Sequence, residues 1–180
     1  MLHITIPAQE YFDPSTETFV DTKEITLTLE HSLVSVSKWE SKWCKPFLSK
    51  DAKTPEETID YIKCMTLTQN VTPETYNRLS NANLDEIKKY IEDPHTATFI
   101  NEGPGGSRSH EAITSELIYY WMTALNIPWE AQKWHLNRLL MLIRVCNLKQ
   151  QPKKKMSQRE LMSRNAALNA ARRQKLHSKG

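Results

Sequence analysis

The sequence predicts a mostly α-helical protein with a small N-terminal β-hairpin, an α+β arrangement. A helical body containing a long antiparallel helix pair is expected, followed by a basic C-terminal helical arm. Three observations carry this expectation. Apolar residues alternate with polar ones at Ile4 and Ile6 and again at Ile25, Leu27 and Leu29, the two-residue period of a half-buried strand. From Ser32 onward they recur three and four apart, the period of an amphipathic helix. Charge also divides near Leu148: ten of the 24 Lys and Arg but one of the 21 acids lie in 149–180, a net of +9, and the other 14 bases against 20 acids give residues 1–148 a net of −6. The overall +3 therefore hides an acidic body and a basic arm.

In the hairpin, Asp13-Pro14-Ser15-Thr16 is turn chemistry, and the long connection carries Tyr11, Phe12, Phe19 and Val20, which need something to pack on. Val36, Trp39 and Trp43 then place two tryptophans on one side of a helix that ends before Pro46. Thr54-Pro55-Glu56-Glu57 reads as a helix start, with Thr54 as N-cap, Pro55 at the first helical position and acids where they favour the helix dipole. Ile59, Ile62, Cys64 and Met65 are its expected buried side. Two shorter helices follow over 72–79, opened by another Thr-Pro pair, and over 83–92, where Leu84, Ile87, Tyr90 and Ile91 form the stripe.

Residues 93–109 hold Gly103, Gly105 and Gly106 around Pro104 and read as a hinge between helical halves or as a flexible flap. Beyond them, 111–126 and 129–148 are expected to be two long helices, separated by Asn126-Ile127-Pro128 and packed antiparallel. The second, with Trp134, Leu136, Leu139, Leu140, Met141, Leu142, Ile143, Val145 and Cys146, is apolar on nearly every side, so it must be central or cover a partner. In the arm, Gln150 to Lys155 interrupts helical order, and Ser157-Gln158-Arg159-Glu160 offers a capping box for a last helix rich in Ala, Leu and Arg. Its apolar stripe is thin, so the arm is expected to be partly disordered unless bound. The expected organisation is one body over 1–148 and an arm over 149–180.

At 180 residues the chain is long enough for one domain with a real core, since about two-thirds of the surface is buried on folding at this size. No apolar run approaches the ~18 residues of a membrane span, and Met1 to Pro7 lacks the regions of a secretion signal, so no membrane role is expected and the protein should stay where it is made. Cys44, Cys64 and Cys146 are odd in number and widely spaced, which fits buried thiols in a reducing compartment. His31, His95, His110 and His135 are scattered, with no helical His pair flanking a glutamate, so no metal is expected. The glycine loop lacks a following Lys-Ser or Lys-Thr and a convincing strand before it, and no nucleotide or other cofactor is expected. Glu56-Glu57 and Asp85-Glu86 are explained as first-turn acids, and neither Ser115 nor Ser157 has a base placed beside it. No catalytic residue is assigned, and an enzyme is not expected.

What remains is surface for binding. Tyr119-Tyr120-Trp121 sets three rings about 100° apart around a helix, so at least one must face solvent or a partner. Tyr119, Trp121, Trp129 and Trp134 are the candidate apolar contacts. Lys153, Lys154, Lys155, Arg159, Arg164, Arg172 and Arg173 are the candidate electrostatic ones, suited to a polyanion or to an acidic protein face. The arm has no aromatic residue and so lacks the stacking platforms of single-strand nucleic-acid binders, which favours a protein partner over nucleic acid.

The run Ser115 to Met122, then Leu125-Asn126-Ile127-Pro128-Trp129-Glu130, and especially Gln132-Lys133-Trp134-His135-Leu136-Asn137-Arg138-Leu139-Leu140, resembles small proteins of tailed bacteriophages. Leu29 to Ser35, Lys38 to Trp43, Asp60-Tyr61-Ile62, Thr66 to Val71 and the ending Ser163 to Asn169 look like the same group, the tail assembly chaperones of long-tailed phages. The resemblance implies a non-enzymatic, largely helical protein that coats the tape measure protein in the host cytoplasm. That client's long hydrophobic helices are held soluble until tail-tube subunits polymerise around them, and self-association is implied as well. The mechanism implied is a helix-in-groove contact that covers apolar stripes. Two other functions fit the same residues: a structural head–tail connector retained in the virion, and a regulatory nucleic-acid binder that uses the basic arm.

Overall fold

Alternation at the N-terminus does produce strands. In the computed structural model, which describes residues 1–13, 18–100, 112–150 and 158–176, β1 (Leu2–Ile6) and β4 (Ile25–Leu29) pair antiparallel, with Leu2 opposite Leu29 and Ile4 opposite Leu27. Ile4, Ile6, Leu27 and Leu29 are buried on the single face this register creates. The long connection is a second antiparallel ladder, β2 (Gln9–Asp13) on β3 (Thr18–Thr22), with Tyr11 opposite Val20 and Phe12 opposite Phe19. The four apolar residues of the connection thus occupy paired positions, although Phe19 remains 70% exposed. Pro14, Ser15 and Thr16 of the expected turn lie outside the described residues. Where the two ladders join, Arg78 donates to the carbonyls of Pro7 and Lys23.

Ser32 caps α1 (Leu33–Trp43) in a reciprocal capping box with Ser35. Val36 and Trp39 are buried, and Trp43 is half-buried against Trp39, so the two rings do share a side, 6.2 Å apart. The helix stops at Cys44, whose left-handed backbone (φ 52°) directs its amide to the Glu40 carbonyl. That thiol is exposed, and Cys64 and Cys146 are only half-buried, which corrects the expectation of three buried thiols.

Thr54 and Glu57 form the capping box that opens α2 (Pro55–Met65), with Pro55 at the start as the sequence predicts. Its buried side differs in part from the one expected: Ile62 and Met65 are buried with Tyr61, while Ile59 and Cys64 are half-buried. The helix instead turns Glu57 and Asp60 inward, where Lys45 and Lys42 respectively pair with them. Two further helices, α3 (Pro73–Asn77) and α4 (Asn81–Glu92), follow, the latter capped by Ser80 with Asn83 returning the bond. Asp85 and Glu86 lie past its first turn, so the dipole explanation fits Glu56-Glu57 alone.

The region expected to hold two long helices is more broken. Non-helical backbone runs from Ala112 to Thr114, which caps α5 (Ser115–Ala124). Residues 129–148, expected as one helix, divide into a 3-10 helix (Trp129–Lys133) and α6 (Leu136–Gln150). The break has a tertiary cause: Trp134 is extended, His135 bridges Ser32, and the Leu136 amide donates to the His31 carbonyl at 2.7 Å. Leu136, Leu139 and Ile143 form the buried side of α6, while Leu140, Met141, Leu142, Val145 and Cys146 are half-buried. The apolar girth read from the sequence therefore becomes one interior stripe with covered flanks.

One core joins these elements. The face of β1 and β4 packs with Leu33, Val36 and Trp39 of α1, Ile62 and Met65 of α2, Ile118 and Met122 of α5, and the stripe of α6. Burying each such aliphatic side chain stabilises the fold by about 1.5–3 kcal/mol relative to leaving it in water. α1 is the hub, packing on α2, on α5 and on the 3-10 helix. Glu40 on α1 is buried because it is fully used: its carboxylate oxygens accept from the amides of Phe47 and Ser115, both at 2.7 Å, tying the end of α1 to the start of α5.

The chain divides into two units, Met1–Asn147 and Leu148–Gly180. The second contains α7 (Gln158–Leu176), a helix exposed at all its described side chains.

Candidate functional site

α5, the turn after it and the 3-10 helix position the predicted aromatic residues. Ile118 and Met122 point α5 into the core, which turns Tyr119, Tyr120 and Trp121 to different sides of its remaining circumference. Tyr120 is the ring left outside, 66% exposed. Tyr119 is half-buried; its hydroxyl donates to Gln132 Oε1 at 3.1 Å and its ring lies 5.5 Å from that of Trp129. Burial pushes the Tyr119 phenol above its ordinary range. Trp129 is 56% exposed. Trp134, 37% exposed, carries the Arg138 guanidinium over its ring at 4.6 Å, a cation–π contact that covers one ring face with charge.

Tyr119 and Trp129 therefore sit together, and Trp134 follows on the same short segment. Trp121 does not join them. It lines a cleft of about 510 Å³ with Ile113, Leu140, Met141 and Ile143, edged by Glu92, Asn137 and Arg144. The sequence-predicted aromatic set is thus split between an outward-facing patch and a concave apolar site.

For the electrostatic residues, Arg159, Arg164, Arg172 and Arg173 lie on α7, whereas Lys153, Lys154 and Lys155 lie outside the described residues, as does Ser157 of the expected capping box.

A third constellation was not legible in the sequence. His31, His95 and His135, read as scattered, meet: the His135 ring lies 5.0 Å from His31 and 4.0 Å from His95, and Tyr90 stands 5.0 Å from His135. His31 is bonded through Nδ1 to the Tyr61 hydroxyl at 2.5 Å. His135 Nε2 lies 3.1 Å from the Tyr90 carbonyl, which requires that nitrogen to carry the proton and leaves Nδ1 a buried acceptor without a partner. Beside it, Asn137 donates to the carbonyls of Ile91 and Asp93, so the C-terminal end of α4 is held by the start of α6. Tyr90 also donates to Glu30 Oε1 at 2.9 Å, and Glu30 in turn lies 3.0 Å from the Met1 amino group. Burial, with His135 and His95 adding repulsion, pulls the His31 imidazole down to about 3, and burial lowers His135 as well. Both rings are buried in the interior. Their rings meet edge-on or tilted, with 64° between the planes of His31 and His135 and 46° between those of His95 and His135, and among the described residues no three His, Cys, Asp or Glu side chains are grouped to hold a metal ion.

Each buried acid has a structural partner. Lys45 at 2.6 Å and the Thr54 amide hold the Glu57 carboxyl below its usual range. Asp60 is held by Lys42 and by Trp43 Nε1 at 2.9 Å. No described helix is long and apolar enough to cross a membrane. Compared with protein-family models, with curated proteins and with solved structures, the chain matches none of them.

Proposed function

We propose that this protein is a tail assembly chaperone of a long-tailed bacteriophage, a binding protein that holds the tape measure protein soluble in the host cytoplasm until the tail tube encloses it. The observation that carries the reading is the placement of Tyr120, Trp129 and Trp134 outside a core that buries Ile4, Leu27, Val36, Trp39 and Ile62. Large exposed rings rimmed by polar groups mark interaction sites, and these belong to the stretch whose residues carry the phage resemblance. The apolar cleft at Trp121 offers a second place for side chains of a helical client. Self-association adds copies, so that each contact with the client need only be weak. Buried acids committed to amides and lysines support a binding role over a chemical one.

The test is co-expression with a helical segment of a tape measure protein. The wild-type chain is expected to move that segment from the pellet to the soluble fraction. The double substitution Trp129→Ala with Trp134→Ala should lose most of that effect while leaving the thermal midpoint nearly unchanged, since neither ring supports the core. Equal solubilisation by the variant contradicts the proposal. Mass spectrometry of purified virions distinguishes the connector role: a chaperone leaves the finished particle, a connector stays.

A further inference from the structure

α7 spans 19 residues and is exposed at all its described side chains. At about 1.5 Å and 100° per residue it is a rod some 28 Å long whose sides can be read from the register. Gln158, Asn165, Asn169 and Arg172 fall on one side, separated by seven, four and three residues. Arg159 and Arg173 lie on one flank of that row, and Lys175 and Arg164 lie toward the other.

A helix that docks into a protein groove presents apolar residues at three- and four-residue spacing. α7 offers only a thin one: Leu161 and Leu168 share a side with Arg172 and Lys175, while Met162 and Leu176 fall within the Asn and Gln row. Its attraction is electrostatic and directional. Basic residues on both flanks suit a partner that presents anions on two sides, whereas an acidic protein face meets a helix on one. The major groove of duplex DNA, roughly 12 Å wide between two phosphate walls, admits a single α-helix and meets that description. The residue types along the row match as well, since Asn and Gln pair with the adenine edge and Arg with the guanine edge. The absence of aromatic residues from 149–180 fits a duplex better than a single strand. The net −6 of residues 1–148 repels phosphates and confines such a contact to the arm.

We infer that α7 is a major-groove helix for duplex DNA, with Gln158, Asn165, Asn169 and Arg172 toward the base edges and Arg159, Arg173 and Lys175 on the phosphates.

The experiment is fluorescence anisotropy of a short mixed-sequence DNA duplex with the full chain, between about 50 and 200 mM salt. Binding is expected, with a log–log salt slope near −3, as about three to four neutralised phosphates give. Arg173→Ala with Lys175→Ala should weaken binding about tenfold or more at the low-salt end and make the slope shallower by about 2. Asn165→Ala with Asn169→Ala should keep the slope and abolish the sequence preference that selection from random duplexes yields for the wild-type chain. Because α7 is exposed, neither pair should move the thermal midpoint of the body. No duplex binding at low salt overturns the inference, as does an unchanged slope in the first variant or a selection that enriches no sequence. Equal displacement of the chain by poly-glutamate at matched charge overturns it in favour of an acidic protein partner.

Discussion

Residues 1–147 and α7 hold their helices by different means. In the body, α1 is amphipathic, capped at Ser32 and buried on one side against α2, α5 and the 3-10 helix. In α7, Ala, Leu, Arg and Gln supply intrinsic propensity, and no described side chain of the helix is buried. The contrast teaches where each kind of work is done. Interior polar groups in the body, such as Glu40 and His135, are fixed by tertiary partners, and under the proposed function what the body offers a partner is the set of rings its core leaves out. The offering of α7 is charge and hydrogen bonds laid along a rod.

Substitutions sharpen that contrast. The largest effect expected is for Trp39→Ala: the ring is 1% exposed, packs on Phe47 at 5.2 Å and donates Nε1 to the Glu57 carbonyl, so its loss should cost about 3–5 kcal/mol in urea unfolding. A loss below about 1 kcal/mol would show that α1 is not the hub described. Glu40→Ala comes next, at about 2–4 kcal/mol, because the amides of Phe47 and Ser115 are left buried without an acceptor. Glu40→Gln should recover part of this.

Acid comes third. The folded-state His31 is held near 3 against 6.5 when unfolded, so the unfolded chain binds the extra proton; stability is complete above pH 6.5 and falls as pH drops below it. The expected loss is roughly 2 kcal/mol between pH 6.5 and 4.5, above the range in which the lowered carboxyl of Glu57 begins to give up its own contribution. His31→Phe should make that slope shallower, leaving the share of the likewise lowered His135, and an unchanged slope would place the acid sensitivity elsewhere. The smallest effect belongs to α7: Ala167→Gly should lower its helix signal by circular dichroism, a propensity cost of about 1 kcal/mol, with the urea midpoint of the body unmoved.

Much of the fold was legible because its signals are local. Alternation at Ile4, Ile6, Ile25, Leu27 and Leu29 gave the outer hairpin, and the Ser32 and Thr54 starts opened helices where expected. The capping box at Ser80 was less visible because its third position is Asn83 instead of Glu or Gln. The break before Leu136 was not legible at all, because it is made by Ser32 and His31, more than a hundred residues away. The same long reach hid the histidine cluster: His31, His95 and His135 share no spacing, and only the folding of the chain after β4, after α4 and before α6 brings them into contact. For the candidate site, the outward turn of one ring in Tyr119-Tyr120-Trp121 followed from helical geometry, but that Trp121 would part from Trp129 depended on the packing of α6.

The most direct measurement is hydrogen–deuterium exchange of the full chain with and without a soluble tape measure segment. The account predicts new protection over 115–134, where Tyr119, Tyr120, Trp129 and Trp134 lie, with exchange in β1 and β4 unchanged. Binding that leaves 115–134 unprotected and instead slows exchange at the β2–β3 ladder or α3 would contradict it.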